Sequence, residues 1–103
     1  MQERIDETFE ALSDPHRISI VEMLREEPRP VREIADRLPI SRPAVSRHLR
    51  VLKSAGIVED TAAGTRRVYS LRPEALAEAR KYLEELWSTA LSRFEAEADR
   101  DDG

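Results

Sequence analysis

Residues 41–56 read Ser-Arg-Pro-Ala-Val-Ser-Arg-His-Leu-Arg-Val-Leu-Lys-Ser-Ala-Gly, and their types and spacing suit contact with a polyanion. Val45, Leu49 and Leu52 recur at i, i+4 and i+7, a stripe to be buried on one side of a short helix. Pro43, Ser46, Arg47 and Arg50 lie away from that stripe, with Arg42 at the helix start and Lys53 near its end. Four basic residues and no acid occupy this stretch. Phosphate oxygens attract Arg and Lys, and base edges are read by Arg, Ser and similar polar groups.

The distribution of charge strengthens this reading. The formal net charge of −4 would by itself argue against nucleic acid. Residues 41–72, however, hold seven basic residues (Arg42, Arg47, Arg50, Lys53, Arg66, Arg67 and Arg72) against two acids, Glu59 and Asp60. The rest of the chain holds ten basic residues against nineteen acids. A basic patch on an acidic body orients the encounter with a polyanion. A merely solvated basic face is the plain alternative, and the surrounding elements count against it.

The chain of 103 residues supports one domain, with residues 1–98 expected to fold and 99–103 expected to form an acidic, disordered tail. Without cysteine there are no disulfides, thiolate ligands or thiol switches. No apolar run approaches the roughly 20 residues of a membrane span, and the N-terminus lacks a signal-peptide core. A soluble cytoplasmic protein is expected.

The elements that position the basic helix follow in order. Ile5, Phe9 and Leu12 mark a first helix. Ser13-Asp14-Pro15 restarts the chain with a capping residue and a first-turn proline. Ile18, Val21 and Leu24 give a second helix its buried face, and Glu27-Pro28-Arg29-Pro30 ends it as a linker. Val31, Ile34, Ala35 and Leu38 predict a two-turn third helix, Pro39 ends it, and Ser41 caps the fourth about three residues later. That spacing is a helix-turn-helix. Gly56 closes the fourth helix, and strands are predicted over 57–61 and 66–71 with Gly64 in the turn. Tyr69 and Leu71 share one face of the second strand. Pro73 then opens a long helix whose Leu76, Leu83, Leu86, Trp87, Ala90, Leu91 and Phe94 form an apolar stripe. The stripe outruns what so small a domain can cover, which favours a dimer interface over packing on its own core. The fold class is therefore mainly α with a small β-hairpin, in winged helix-turn-helix order.

Ala11 to Arg17, Ile34 to Leu38, Ser41 to Leu49, Leu52 to Val58 and Gly64 to Leu71 together resemble the ArsR/SmtB family of bacterial winged-helix repressors. The resemblance spans about residues 5–94. It implies a DNA-binding transcriptional regulator, a repressor acting as a homodimer through the first and last helices at Ile5, Phe9, Leu12, Leu83, Leu86, Trp87, Ala90, Leu91 and Phe94. It also implies a recognition helix over 41–55 in the major groove and a wing over 57–71. On that basis Arg42, Ser46 and Arg47 are expected nearest base edges, and Ser41, Arg50, His48 and Lys53 on phosphate. Pro43 sits at the helix start, where free backbone N–H groups can meet a phosphate. Arg66 and Arg67 are expected at the minor groove or its flanking backbone.

One departure from the family matters. Its metal-sensing members carry cysteines where this chain has Pro30, Arg32 and Ala35, and last-helix ligands where it has Pro73, Ala75, Leu86 and Thr89. None of these binds zinc. The chain therefore resembles the branch without metal sites, often autorepressors, and its Arg-rich, Lys-poor composition fits a high-GC bacterium.

Rival chemistry is weak. His16 and His48 are the only histidines, too few for a metal site of their own. Ser46 and His48, two apart on a helix, face different ways and cannot form a catalytic pair. Three glycines build no phosphate loop. No enzyme and no cofactor are expected. The remaining alternatives are a winged-helix protein-interaction module, which would usually have lost the basic surface, and a small-molecule-responsive regulator with a pocket near Trp87 and Phe94.

Overall fold

The computed structural model describes residues 2–101. Helices α1 (Gln2–Ala11), α2 (Pro15–Glu26), α3 (Val31–Asp36), α4 (Arg42–Ser54) and α5 (Pro73–Asp101) surround strands β1 (Arg29–Pro30), β2 (Val58–Ala63) and β3 (Arg66–Leu71). The strands form one antiparallel sheet in the order β1-β3-β2.

The caps are those the sequence predicts. The Asp14 side chain accepts from the backbone N–H of His16 at 2.8 Å and of Arg17 at 3.3 Å, with Pro15 in the first turn of α2. Desolvation pushes its pKa up, but these two bonds, aided by the charges of His48 and Arg17, bring it below the usual carboxylate value. The Ser41 hydroxyl accepts from Ala44 N–H at 3.2 Å and opens α4. At the other end Gly56 takes φ of +78°, its N–H bonds Lys53 O, and Ile57 N–H bonds Leu52 O, both at 3.0 Å. These two bonds form a Schellman closure, with buried Leu52 and Ile57 as its apolar pair.

One core holds the elements together. Ile20 and Leu24 of α2, Ile34 of α3, and Val45, Leu49 and Leu52 of α4 meet Ile57 and Val58 there. The predicted stripe of α4 is the buried one, so its basic side is turned outward. Ile5, Thr8 and Ala11 seat α1, and Ala75 and Ala79 seat the start of α5.

Ile18, expected on the buried face of α2, is exposed and Ile20 takes its place, and three expectations about element bounds change. The stretch predicted as a linker contains β1, an edge strand pairing Arg29 with Tyr69 and Pro30 with Val68. Proline is tolerated at a sheet edge, and so disguises the strand. The first hairpin strand is Val58–Ala63 rather than 57–61, because pairing with β3 continues to a two-residue turn at Gly64-Thr65. Gly64 has φ of +65° and no other residue near it is left-handed, which is the type II′ pattern. The helix-turn-helix connection covers residues 37–41, longer than predicted, since the last turn of α3 tightens through Arg37 N–H to Ile34 O and Leu38 N–H to Ala35 O.

The acidic end, expected to lack structure, is helical through Asp101; the last two residues of that expectation, 102 and 103, lie outside the described residues. Every residue from Leu83 to Arg100 is exposed, so α5 leaves the body instead of folding back on it. Ile5, expected at a dimer face, is instead buried within the single chain.

Candidate nucleic-acid interface

Helical geometry divides α4 into a core stripe, an outward face and two flanks. Pro43, Arg47, Arg50 and Ser54 fall opposite Val45, Leu49 and Leu52 and are exposed. Arg42, Ser46 and Lys53 lie on the flank toward β2, and His48 lies on the flank toward α2. Among the described residues Arg42, Arg47, Arg50 and Arg66 have no ion-pair or hydrogen-bond partner for their side chains. Four guanidinium groups left unpaired in a chain with more acids than bases are available to an external anion.

Lys53 and Arg67 are arranged differently. Asp60 of β2 accepts from Lys53 Nζ at 2.7 Å and pairs with Arg67 Nε at 3.1 Å, and its side chain is only 6% exposed. The hairpin register places Asp60 opposite Tyr69 and Arg67 opposite Ala62, so both sit on the same sheet face as Val58. One carboxylate thus fastens the end of α4 to the wing. The hydrogen bond from Lys53, then the charges of Lys53 and Arg67, outweigh desolvation and hold Asp60 below the usual carboxylate pKa.

The depressed pKa has a consequence for stability. A carboxylate with a lowered folded-state pKa contributes stability that is fully present above its unfolded value of about 3.9. That contribution is lost as pH falls through the folded value. Asp60 should therefore add no slope between neutrality and about pH 5, and should steepen the loss of stability below about pH 4. Asp60→Asn should be less stable at pH 7 and flatter on the acid limb, read by urea unfolding across pH. Parallel curves for the two proteins would refute this role.

His48 is half-buried and serves α2 as well as α4. Arg17 Nη1 lies 3.2 Å from His48 Nδ1, and the His16 and His48 rings are 5.8 Å apart. A guanidinium only donates, so His48 Nδ1 is the acceptor of this contact and Nε2 is left as the ring's donor. Arg17 also donates Nε–H to Ala11 O at 2.6 Å and reaches Glu10 O. It thereby ties the end of α1 to the recognition element.

Comparison with known proteins decides the family. Residues 14–60 match the family described as "Bacterial regulatory protein, arsR family". The HTH-type transcriptional regulator Rv2034 of Mycobacterium tuberculosis is 51% identical over 86% of this chain and 83% of its own length. The chain belongs to the ArsR family. The transcriptional repressor SdpR of Bacillus subtilis is 33% identical over 73% of this chain and 83% of its own length. Among solved structures, the homodimeric winged helix-turn-helix DNA-binding domain Mb0332 of Mycobacterium bovis superposes with a TM-score of 0.70 at 26% identity. That match covers 89% of this chain and 85% of the domain. This ArsR-family chain is accordingly a DNA-binding transcriptional regulator with a winged helix-turn-helix, and not an enzyme. Among the described residues no helix is long and apolar enough to cross a membrane.

Of the residues expected to meet DNA, the fold brings Ser41, Arg42, Pro43, Ser46, Arg47, His48, Arg50 and Lys53 onto α4 and its cap, and Arg66 and Arg67 onto the wing. Sequence reasoning missed Asp60 and Arg17. Parity offered the signal for Asp60, which shares the inward side of its strand with Val58. It also missed Arg29, buried under the sheet edge with hydrogen bonds to Met23 O, Glu26 and Glu33. Such an arginine anchors β1, and no periodic pattern announces it.

Proposed function

We propose that this regulator is a cytoplasmic repressor that binds an inverted-repeat operator as a homodimer and does not sense metal. The observation that carries the DNA-facing part is the set of unpaired arginines, Arg42, Arg47 and Arg50 on α4 and Arg66 at the wing tip. In this reading Arg47 and Arg50 enter the major groove, with Pro43 and Ser46 beside them; their outward position supports it and moves Arg50 from the phosphate expected for it above. Ser41, Arg42 and the first N–H groups of α4 take phosphate. His48 supports the helix from the α2 side and offers Nε2–H as its remaining donor. Arg66 takes the flanking backbone or minor groove, and Lys53 and Arg67 mainly fix the wing through Asp60.

The dimer is supported by the apolar side chains that α5 exposes, Leu83, Leu86, Trp87, Leu91 and Phe94, together with Phe9 of α1. Ala90 continues the same exposed helix, and Leu12 packs partly on the core. The homodimeric Mycobacterium bovis domain and the repressor SdpR support assembly and direction of control. Two recognition helices related by a two-fold read half-sites roughly 34 Å apart. Selection of bound duplexes from a random pool is the test. An inverted repeat with one-turn spacing is expected; enrichment of a lone half-site, or no enrichment, would count against the reading.

Insensitivity to metal rests on the lack of cysteine and on Pro30, Arg32, Ala35, Pro73, Ala75, Leu86 and Thr89, none of them a ligand for zinc. Zinc, cadmium or copper added to the protein–operator complex should leave it intact. Stoichiometric release that His16→Ala and His48→Ala abolish would overturn this.

A further inference from the structure

The outward face of α4 also forms one wall of a cleft. A cavity of about 570 Å³ lies between α1 and α4. Glu7 and Glu10 of α1 stand on one side, Arg47 and Arg50 of α4 on the other, and Ala11 and Val51 contribute apolar surface between them. Val51 is 39% exposed, the one large apolar side chain of α4 left open in this way. Phe9 of α1 meets Tyr82 of α5 with ring centroids 6.3 Å apart, whereas Glu7 and Glu10 line the cleft, so the cleft and the α5 face use different sides of α1.

Among the described residues no ion pair joins the charges across the cleft. Among the described residues neither glutamate side chain has an ion-pair or hydrogen-bond partner, and neither does Arg47 or Arg50. Two acids and two arginines face an apolar strip without touching. The complementary molecule has an ammonium at one end, a carboxylate at the other and an apolar body between them. A free α-amino acid holds its two charged groups on one carbon, so a longer zwitterion suits opposed walls better.

We propose that the α1–α4 cleft binds a small apolar zwitterion of dipeptide size, with its ammonium on Glu7 and Glu10 and its carboxylate on Arg47 and Arg50. A carboxylate takes guanidinium in a bidentate fashion, as DNA does. Resting on the regulator reading above, the cleft therefore makes this ligand and operator DNA competitors for the same two arginines. Linkage requires each to weaken the other by the same factor.

The test uses the dipeptide Leu-Leu with free termini, and two analogues, N-acetyl-Leu-Leu and Leu-Leu amide, each lacking one charge. Backbone NMR shifts of the full chain should saturate with Leu-Leu at one site per subunit, centred on Glu7, Glu10, Val51 and Ser54. Each analogue should bind at least tenfold more weakly. Glu7→Gln/Glu10→Gln should lose Leu-Leu binding by a similar factor while keeping its affinity for the selected operator. Saturating Leu-Leu should weaken operator binding of the unaltered protein and not of that variant. Equal binding of all three peptides, shifts centred on Trp87 and Phe94, or no shifts at millimolar peptide would overturn the proposal. So would operator affinity unmoved by bound Leu-Leu. A protein that binds Leu-Leu in the cleft but selects no DNA would instead refute the repressor reading and leave the site standing.

Discussion

Arg47→Ala/Arg50→Ala should abolish recognition of the selected operator while leaving the fold intact. Both side chains are exposed and lack partners among the described residues, so their removal strands no buried group. Losing one good base contact costs about 1–3 kcal/mol and relaxes preference at that base pair. A homodimer loses each contact twice. One substitution alone should therefore cost about 2–6 kcal/mol, between roughly 30-fold and 20,000-fold in affinity. The double variant should be indistinguishable from binding to random DNA. Fluorescence anisotropy with selected and scrambled duplexes reads both quantities, and unfolding curves check the fold. A single variant that keeps full affinity and full base preference would remove that arginine from the interface.

Trp87→Glu should dissociate the dimer. Trp87 is 68% exposed on a helix whose every residue from Leu83 to Arg100 is exposed, so the single chain gains nothing from its indole. In a dimer through α5 the indole is the largest apolar group available for burial, and aromatic anchors of this kind are worth about 2 kcal/mol or more when truncated. A two-fold interface loses two of them and gains two desolvated carboxylates. The dissociation constant should rise by about a thousandfold or more. Sedimentation equilibrium should show a folded monomer at concentrations where the unaltered protein is dimeric. Operator affinity should fall with it, since one recognition helix reads one half-site. An unchanged dimer would move the interface away from this face.

Much of the recognition element was legible because it obeys local rules. Val45, Leu49 and Leu52 fix which side of α4 is buried, and Ser41 and Gly56 fix its ends, so the outward position of Arg47 and Arg50 follows from spacing alone. The wing was legible from Gly64 and from the two-residue period of Tyr69 and Leu71. What stayed hidden depends on contacts between elements. Asp60 lies seven residues from both Lys53 and Arg67, and only the packing of α4 on β2 brings all three together. His48 and Arg17 are 31 residues apart, and their pairing reflects how α2 crosses α4. Strand β1 hides behind Pro28 and Pro30, since proline signals a break wherever pairing is not already known. The long apolar stripe was visible, and its length beyond what so small a body can cover already pointed away from packing on its own core, as the exposure of Leu83 to Arg100 in the single chain bears out.

The Asp60 clamp alters how basic residues should be counted. Seven basic side chains occupy residues 41–72, yet Lys53 and Arg67 are held by Asp60, and Arg72 pairs with Glu59 and Glu74 at 3.7 Å. Four arginines per subunit remain for DNA. If two to four of them neutralise phosphate in each subunit, log K should fall against log salt with a slope of about −4 to −7 for the dimer.

That slope, measured for the selected operator and for a scrambled duplex between about 50 and 200 mM salt, tests the central claim most directly. The account predicts a slope in this range for the operator and a preference of at least about a thousandfold over scrambled DNA at physiological salt. Weak binding at low salt without sequence preference, and none at physiological salt, by a folded dimer would contradict it and leave a winged-helix protein-interaction module.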